Sequence, residues 1–203
     1  VEMGFEPGSR ERDGLLPAIE QLRDRIGVRP AGLARIGVSS GPGGYTGLRV
    51  AASAAMLLAD ATGAALVGVP SAWIAASNSG LDHPFLVCLA SKRDSAFAVR
   101  FSDALSPTAS REIGIIDEAG LEGLAACSGE TGGGIRSIVC DQHLPSPIRL
   151  RANGLGIMVV PSRFSATACL ALCFGLPPER NGLLVPRYAR EPEAVRLWRT
   201  RDA

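Results

Sequence analysis

Ser39 and Ser40, followed by Gly41-Pro42-Gly43-Gly44-Tyr45-Thr46-Gly47-Leu48-Arg49, gather the residue types best suited to chemistry in this chain. Glycine lacks a Cβ, so such a turn can take positive φ and let other atoms approach its backbone closely. A turn of this kind that opens a helix presents unpaired N–H groups at the positive helix end, where an anion or a partner carboxylate can sit. Gly43, Gly44, Thr46 and Arg49 are therefore the candidates for an anion site. Thr46 is also placed to cap the helix by accepting a first-turn N–H. Arg49 would serve equally well in a surface ion pair.

Known phosphate-binding patterns do not fit. Gly47-Leu48-Arg49 stands where a phosphate loop ends in Lys-Ser/Thr, and Thr46 occupies the third glycine position of GxGxxG. No G-x-S-x-G elbow surrounds the serines. His83 and His143 lack zinc-ligand spacing and fall in loops, where a solvated ring is the simplest expectation. The five cysteines, Cys88, Cys127, Cys140, Cys169 and Cys173, form no CxxC pair. An odd count without metal spacing reads as reduced, buried thiols. Residue chemistry alone assigns no catalytic residue, no metal and no cofactor.

The elements that position the turn follow from periodicity. The apolar run before it predicts a strand over Arg35–Ser39, and the alanine-rich run after it a helix from Gly47 to about Ala61. A strand at Ala65–Val69 and a helix from Ser71 through Ser77 continue the pattern, which is that of parallel strands joined by crossovers. Upstream, Leu15, Ile19, Leu22 and Ile26 recur at helical spacing from Asp13, a stripe for the chain's own sheet or for a partner helix. Asn78–Pro84 is a turn-rich break, dividing the chain into lobes 1–79 and 80–203. The second part predicts strands at Phe85–Ala90, Ala96–Phe101, Arg111–Ile116, Ile135–Cys140 and Gly156–Val160, with a hairpin at Ser91–Asp94. Helices are expected at Asp117–Ala126, Ser165–Phe174 and near Pro192–Trp198, and Ser128–Gly134 as a loop. The fold class is α/β.

With 203 residues, 46% of them hydrophobic, and a net charge of +1, the chain has the composition of a soluble globular protein. That balance excludes bulk electrostatic attraction to nucleic acid or a membrane. Asp60, Thr62 and Gly63 break the one apolar stretch, Val50–Val69, long enough to imitate a span. Glu2, Glu6 and Arg10 interrupt any leader-like run at the start, so a cytoplasmic protein is expected.

The nonapeptide Gly41–Arg49 resembles the GPGSFTGLR signature of the bacterial TsaB (YeaZ) proteins, with Gly44 for Ser and Tyr45 for Phe. Leu15-Leu16-Pro17-Ala18-Ile19 is similar to the family's "LLP.I" helix, and Val67-Gly68-Val69-Pro70-Ser71 to its "GV.S" step. Val185-Pro186-Arg187-Tyr188-Ala189-Arg190-Glu191-Pro192 is similar to its "P.YLR.P" tail. The resemblance implies a two-lobed ASKHA (actin, sugar kinase, Hsp70) fold. It also implies a noncatalytic role in making N6-threonylcarbamoyladenosine at position 37 of tRNAs that read ANN codons. The implied partner is a TsaD-type catalytic subunit that carries the metal and nucleotide site, with a TsaE-type ATPase in the same system. A lone chain would form a homodimer through much the same surface, and tRNA would be met only through the complex. The matching helices place that interface at Leu15, Ile19, Leu22 and Ile26 of the first and Leu48, Ala51, Ala52 and Ala55 of the second.

Two departures qualify the match. The family opens with an "LAIDTS" strand and a hairpin, so the resemblance implies a first lobe without its first strands: truncated, rearranged, or completed by another chain. Ala90-Ser91-Lys92-Arg93 stands where the family has an Asp-Ala-Arg-type turn. An ASKHA-class nucleotide-binding enzyme, a glycopeptidase-like protein and an orphan homodimer remain the alternatives.

Overall fold

In the computed structural model, residues 1–4, 11–126 and 134–190 are described. The striped helix is α1 (Glu11–Ile26). Leu15, Ala18, Ile19 and Leu22 are half-buried, and no residue from Gly14 to Ile26 is fully buried. No other element makes more than marginal contact with α1. A short 3-10 turn then leads into β1 (Arg35–Gly41), α2 (Tyr45–Thr62), β2 (Ala65–Pro70) and α3 (Ser71–Ser77).

β1 and β2 pair in parallel from Arg35↔Ala65 to Gly41↔Pro70, with an irregularity between Ser39 and Gly41. Strand alternation sends Ile36, Val38 and Leu66 to one face, against Ala52, Ala55 and Ala59 of α2. Val67 and Val69 point to the other face. There they meet α6 (Ala166–Phe174), which returns from far along the chain through Cys169 and Cys173. A Cβ on Gly37 would stand 3.0 Å from the Cys173 Cβ, so the bare glycine lets α6 lie close against β1. Ser165 caps α6 by accepting the Ala168 N–H at 3.0 Å. Among the described residues this sheet has two strands, and the edge of β1 away from β2 has no ladder partner. The outer edge of β2 is met by Glu179, whose N–H donates to the Leu66 carbonyl at 2.8 Å.

The second sheet contains β3 (Phe85–Ala90), β4 (Ala96–Phe101), β5 (Arg111–Ile116), β6 (Ser137–Cys140) and β7 (Met158–Pro161). Their order is β5-β4-β3-β6-β7. The first three form an antiparallel meander, and β6 and β7 add in parallel. Leu86, Cys88, Ile138 and Cys140 face α4 (Glu118–Ala126) and α5 (Ser146–Gly154) through Leu121, Ile148 and Ala152. Phe85, Val87, Val99 and Phe101 face α3 through Ala72, Ala75 and Ala76. The Phe85 and Phe101 rings stack 5.3 Å apart with almost no exposure. Phe85→Ala is expected to cost about 3–5 kcal/mol, read as a lower urea midpoint at unchanged slope.

Packing does not follow a single cut after residue 79. α6 and the buried Leu184 both belong to the cores around the first sheet. α5 is absent from the sequence reading, because Pro147 and two arginines obscure its apolar spacing. The helix expected near Pro192–Trp198 and nearly all of the Ser128–Gly134 loop lie outside the described residues.

Candidate functional site

The glycine turn closes earlier than its sequence suggests. The Leu48 N–H bonds the Gly44 carbonyl at 3.0 Å, so α2 starts at Tyr45 with Gly44 as its N-cap and no side-chain cap. This corrects the capping role expected of Thr46, which lies inside the first turn. Gly41 carries the geometric demand, with φ at +100°. A Cβ there would fall on the carbonyl of Arg187 and stand 3.0 Å from Leu48 Cδ1. Gly44 and Gly47 face open space.

The tail crosses over this turn. The Arg187 N–H donates to the Ser40 carbonyl at 2.7 Å. Tyr188 lies with its ring 5.1 Å from that of Tyr45. Arg49 sits 4.2 Å over the Tyr45 ring, and its Nε donates to the Tyr188 hydroxyl at 3.2 Å. The hydrogen bond to Tyr188 raises the Arg49 pKa above its ordinary value. Arg49 is thus engaged with two rings through hydrogen-bond and cation–π geometry.

A cleft of about 1530 Å³ opens between the two sheets. Ser39, Gly43, Gly44 and Tyr45 line it on one side; Lys92, Arg93, His143 and Asp141 stand across, with Arg190 from the tail. Two of the four anion-site candidates, Gly43 and Gly44, therefore share a basic cleft, whereas Thr46 and Arg49 are not in its lining. The Ser39 and Ser71 hydroxyls bond each other at 2.7 Å.

An arrangement outside the cleft has the order of a hydrolase relay. His83 Nε2 lies 2.9 Å from Ser137 Oγ, and Nδ1 lies 3.3 Å from Asp82 Oδ1. Ser137 has no exposure, so no substrate carbonyl can reach its hydroxyl in this fold. The ring instead satisfies a buried hydroxyl at the start of β6. His83 is therefore a tied-down residue and not the solvated one expected.

Cys88, Cys140, Cys169 and Cys173 are free and buried. Burial, then the neighbouring Cys173, pushes the Cys169 thiol up to about 11; burial raises Cys88 also. Among the described residues no cluster of three potential metal ligands occurs. A raised folded-state pKa stabilises fully below the ordinary thiol value near 9 and loses that effect as pH climbs through about 11. The melting temperature is therefore expected to fall over that window, and Cys169→Ala to flatten the fall. An equally steep decline in the variant would contradict this.

Three of the residues expected at an interface, Leu48, Ala52 and Ala55, are core residues of the chain itself. Leu48 plugs the inside of the glycine turn, and the small residues of α2 let the helix lie close on β1. Ala51 is half-buried; of the first-helix stripe, Leu15, Ile19 and Leu22 are half-buried and Ile26 exposed. Sequence reasoning missed Tyr45 with Tyr188, and Glu112, whose carboxylate pairs with Arg187 at 2.8 Å.

Residues 9–108 match the family model described as TsaD: tRNA N6-adenosine threonylcarbamoyltransferase. That span includes α1, both strands of the first sheet and the β3–β4 hairpin. Among solved structures, one similar chain is an uncharacterized protein with similarity to peptidase YEAZ from Pseudomonas aeruginosa. It is 17% identical with a TM-score of 0.64, covering 88% of this chain and 83% of that one. Another is YeaZ from Pseudomonas aeruginosa, at 18% identity and a TM-score of 0.60, over 82% and 77% of the two chains. This is a YeaZ-like fold. The architecture is mixed α/β, built on one two-stranded and one five-stranded sheet among the described residues. No curated protein matches the chain. No helix among the described residues is long and apolar enough to cross a membrane.

Proposed function

We propose that this YeaZ-like chain is a noncatalytic scaffold in N6-threonylcarbamoyladenosine modification of tRNA, docking on a TsaD-type catalytic subunit. The match of residues 9–108 to the TsaD family model and the YeaZ-like fold support the pathway. The observation that carries the docking is α1. Its stripe of Leu15, Ala18, Ile19 and Leu22 is half-exposed, with no element of the described chain laid along it. An amphipathic helix gains its stability by burying such a stripe. On α2, Leu57 is 71% exposed, with the half-buried Val50 and Ala54 on the same side. These two outward surfaces are the faces offered to the partner helices; in the partner's absence a second copy takes its place. A TsaE-type ATPase and tRNA join through the complex, in the cytoplasm. Size-exclusion chromatography of the chain mixed with the TsaD-type subunit of its own organism tests this. A shared earlier peak is expected, and separate elution with and without nucleotide would overturn it.

The cleft supports a second reading, an ASKHA-class nucleotide-binding protein. Gly43 and Gly44 face Lys92, Arg93 and Arg190 across it. Saturable heat on titration with ADP would favour that reading, and flat isotherms with ADP and ATP would remove it.

A further inference from the structure

We propose that residues 183–190 are a strap that fixes the angle between the lobes and so sets the opening of the cleft, with Tyr188 as its latch. The strap starts in one core and ends on the other sheet. Leu184 is 4% exposed and packs with Ala55 and Leu66 under α2. The Arg187 backbone then crosses the glycine turn, bonded to Ser40, in the space left by the missing Cβ of Gly41. From there the strap grips the second lobe. The Arg187 guanidinium pairs with Glu112 on β5, and Arg190 donates to Ser95 Oγ at 2.7 Å beside the β3–β4 turn. Ala189 packs on the core of that lobe.

Tyr188 lies between these anchors and holds the strap to the first turn of α2 through Tyr45 and Arg49. Tyr188, Ala189 and Arg190 are also cleft wall. A contact that draws Tyr45 or Tyr188 away therefore loosens the wall and the lobe angle together. Nothing in this device depends on which partner α1 meets.

Spin labels at Asp60→Cys on α2, away from the Val50, Ala54 and Leu57 face, and Leu150→Cys on α5, both exposed positions, read the lobe separation. Cys127→Ala removes the thiol outside the described residues, and the other four are buried. The unmodified strap should give one narrow distance distribution. Tyr188→Ala, and separately Arg187→Ala with Glu112→Ala, should broaden it or add a second distance. A distribution unchanged in both would overturn the proposal. Tyr188→Phe keeps the ring and removes only the bond from Arg49, so it guards against a variant that does not fold. Amide exchange of Arg187 should then quicken by about fivefold, the worth of one net hydrogen bond, while Leu86 and Val87 in β3 keep their rates. Joint acceleration of all three, or of none, would count against a latch.

Discussion

Leu15→Glu combined with Leu22→Glu on α1 is expected to abolish co-elution with the TsaD-type subunit while leaving the chain folded. The two effects separate because the stripe contributes little to the chain's own core. No residue from Gly14 to Ile26 is fully buried, and α1 makes only marginal contact elsewhere. In a helix-to-helix seam the same side chains become central anchors. Truncating such an anchor typically weakens binding by about 2 kcal/mol or more, roughly thirtyfold each. A buried carboxylate without a partner is worse than a truncation. The melting temperature should therefore move by only a few degrees while the complex disappears. A variant that melts far lower, or that still co-elutes, would place the stripe inside the fold or the interface elsewhere.

Gly41→Ala is expected to be among the most damaging small changes, at about 3 kcal/mol of stability in urea unfolding. Two costs combine. The backbone there has φ at +100°, a conformation an alanine resists, and the added methyl would occupy the place of the Arg187 carbonyl. Gly47→Ala, three residues into α2, makes the contrast. Nothing lies within 4 Å of its Cβ position, and alanine suits a helix better than glycine. That variant should be neutral or gain up to about 1 kcal/mol. Equal losses from both would mean that the turn tolerates no side chain anywhere, and that Gly41 has no special place under the strap.

The contrast between these glycines also shows what the sequence could reveal. Strands with every position apolar, such as Phe85–Ala90, were legible because burial on both faces leaves a continuous apolar run. The strand–turn–helix step around Gly41–Gly44 was legible because glycine clusters before helices have few other uses. α5 was hidden: Leu144, Ile148, Ala152 and Leu155 keep helical spacing, but Pro147, Arg149 and Arg151 break the apolar run between them.

The site was less legible than the fold because its contacts are non-local. Nothing near Tyr45 announces Tyr188, and nothing near His83 announces Ser137. The small residues of α2 invited a reading as a partner face. They are equally what a helix needs to lie on a narrow sheet, and Leu48, Ala52 and Ala55 are used that way. Gly43 and Gly44 line one side of a cleft whose other side carries basic side chains. Lys92 and Arg93 reach that cleft through a hairpin turn with positive φ at Arg93 and Asp94, a geometry their residue types do not signal.

The decisive measurement is light scattering on the eluting mixture of this chain with the TsaD-type subunit of its own organism, run with and without ADP. The expected result is a single peak with the mass of one copy of each, lost on Leu15→Glu with Leu22→Glu. Two peaks at the masses of the separate proteins under both conditions would contradict the role proposed for this YeaZ-like fold.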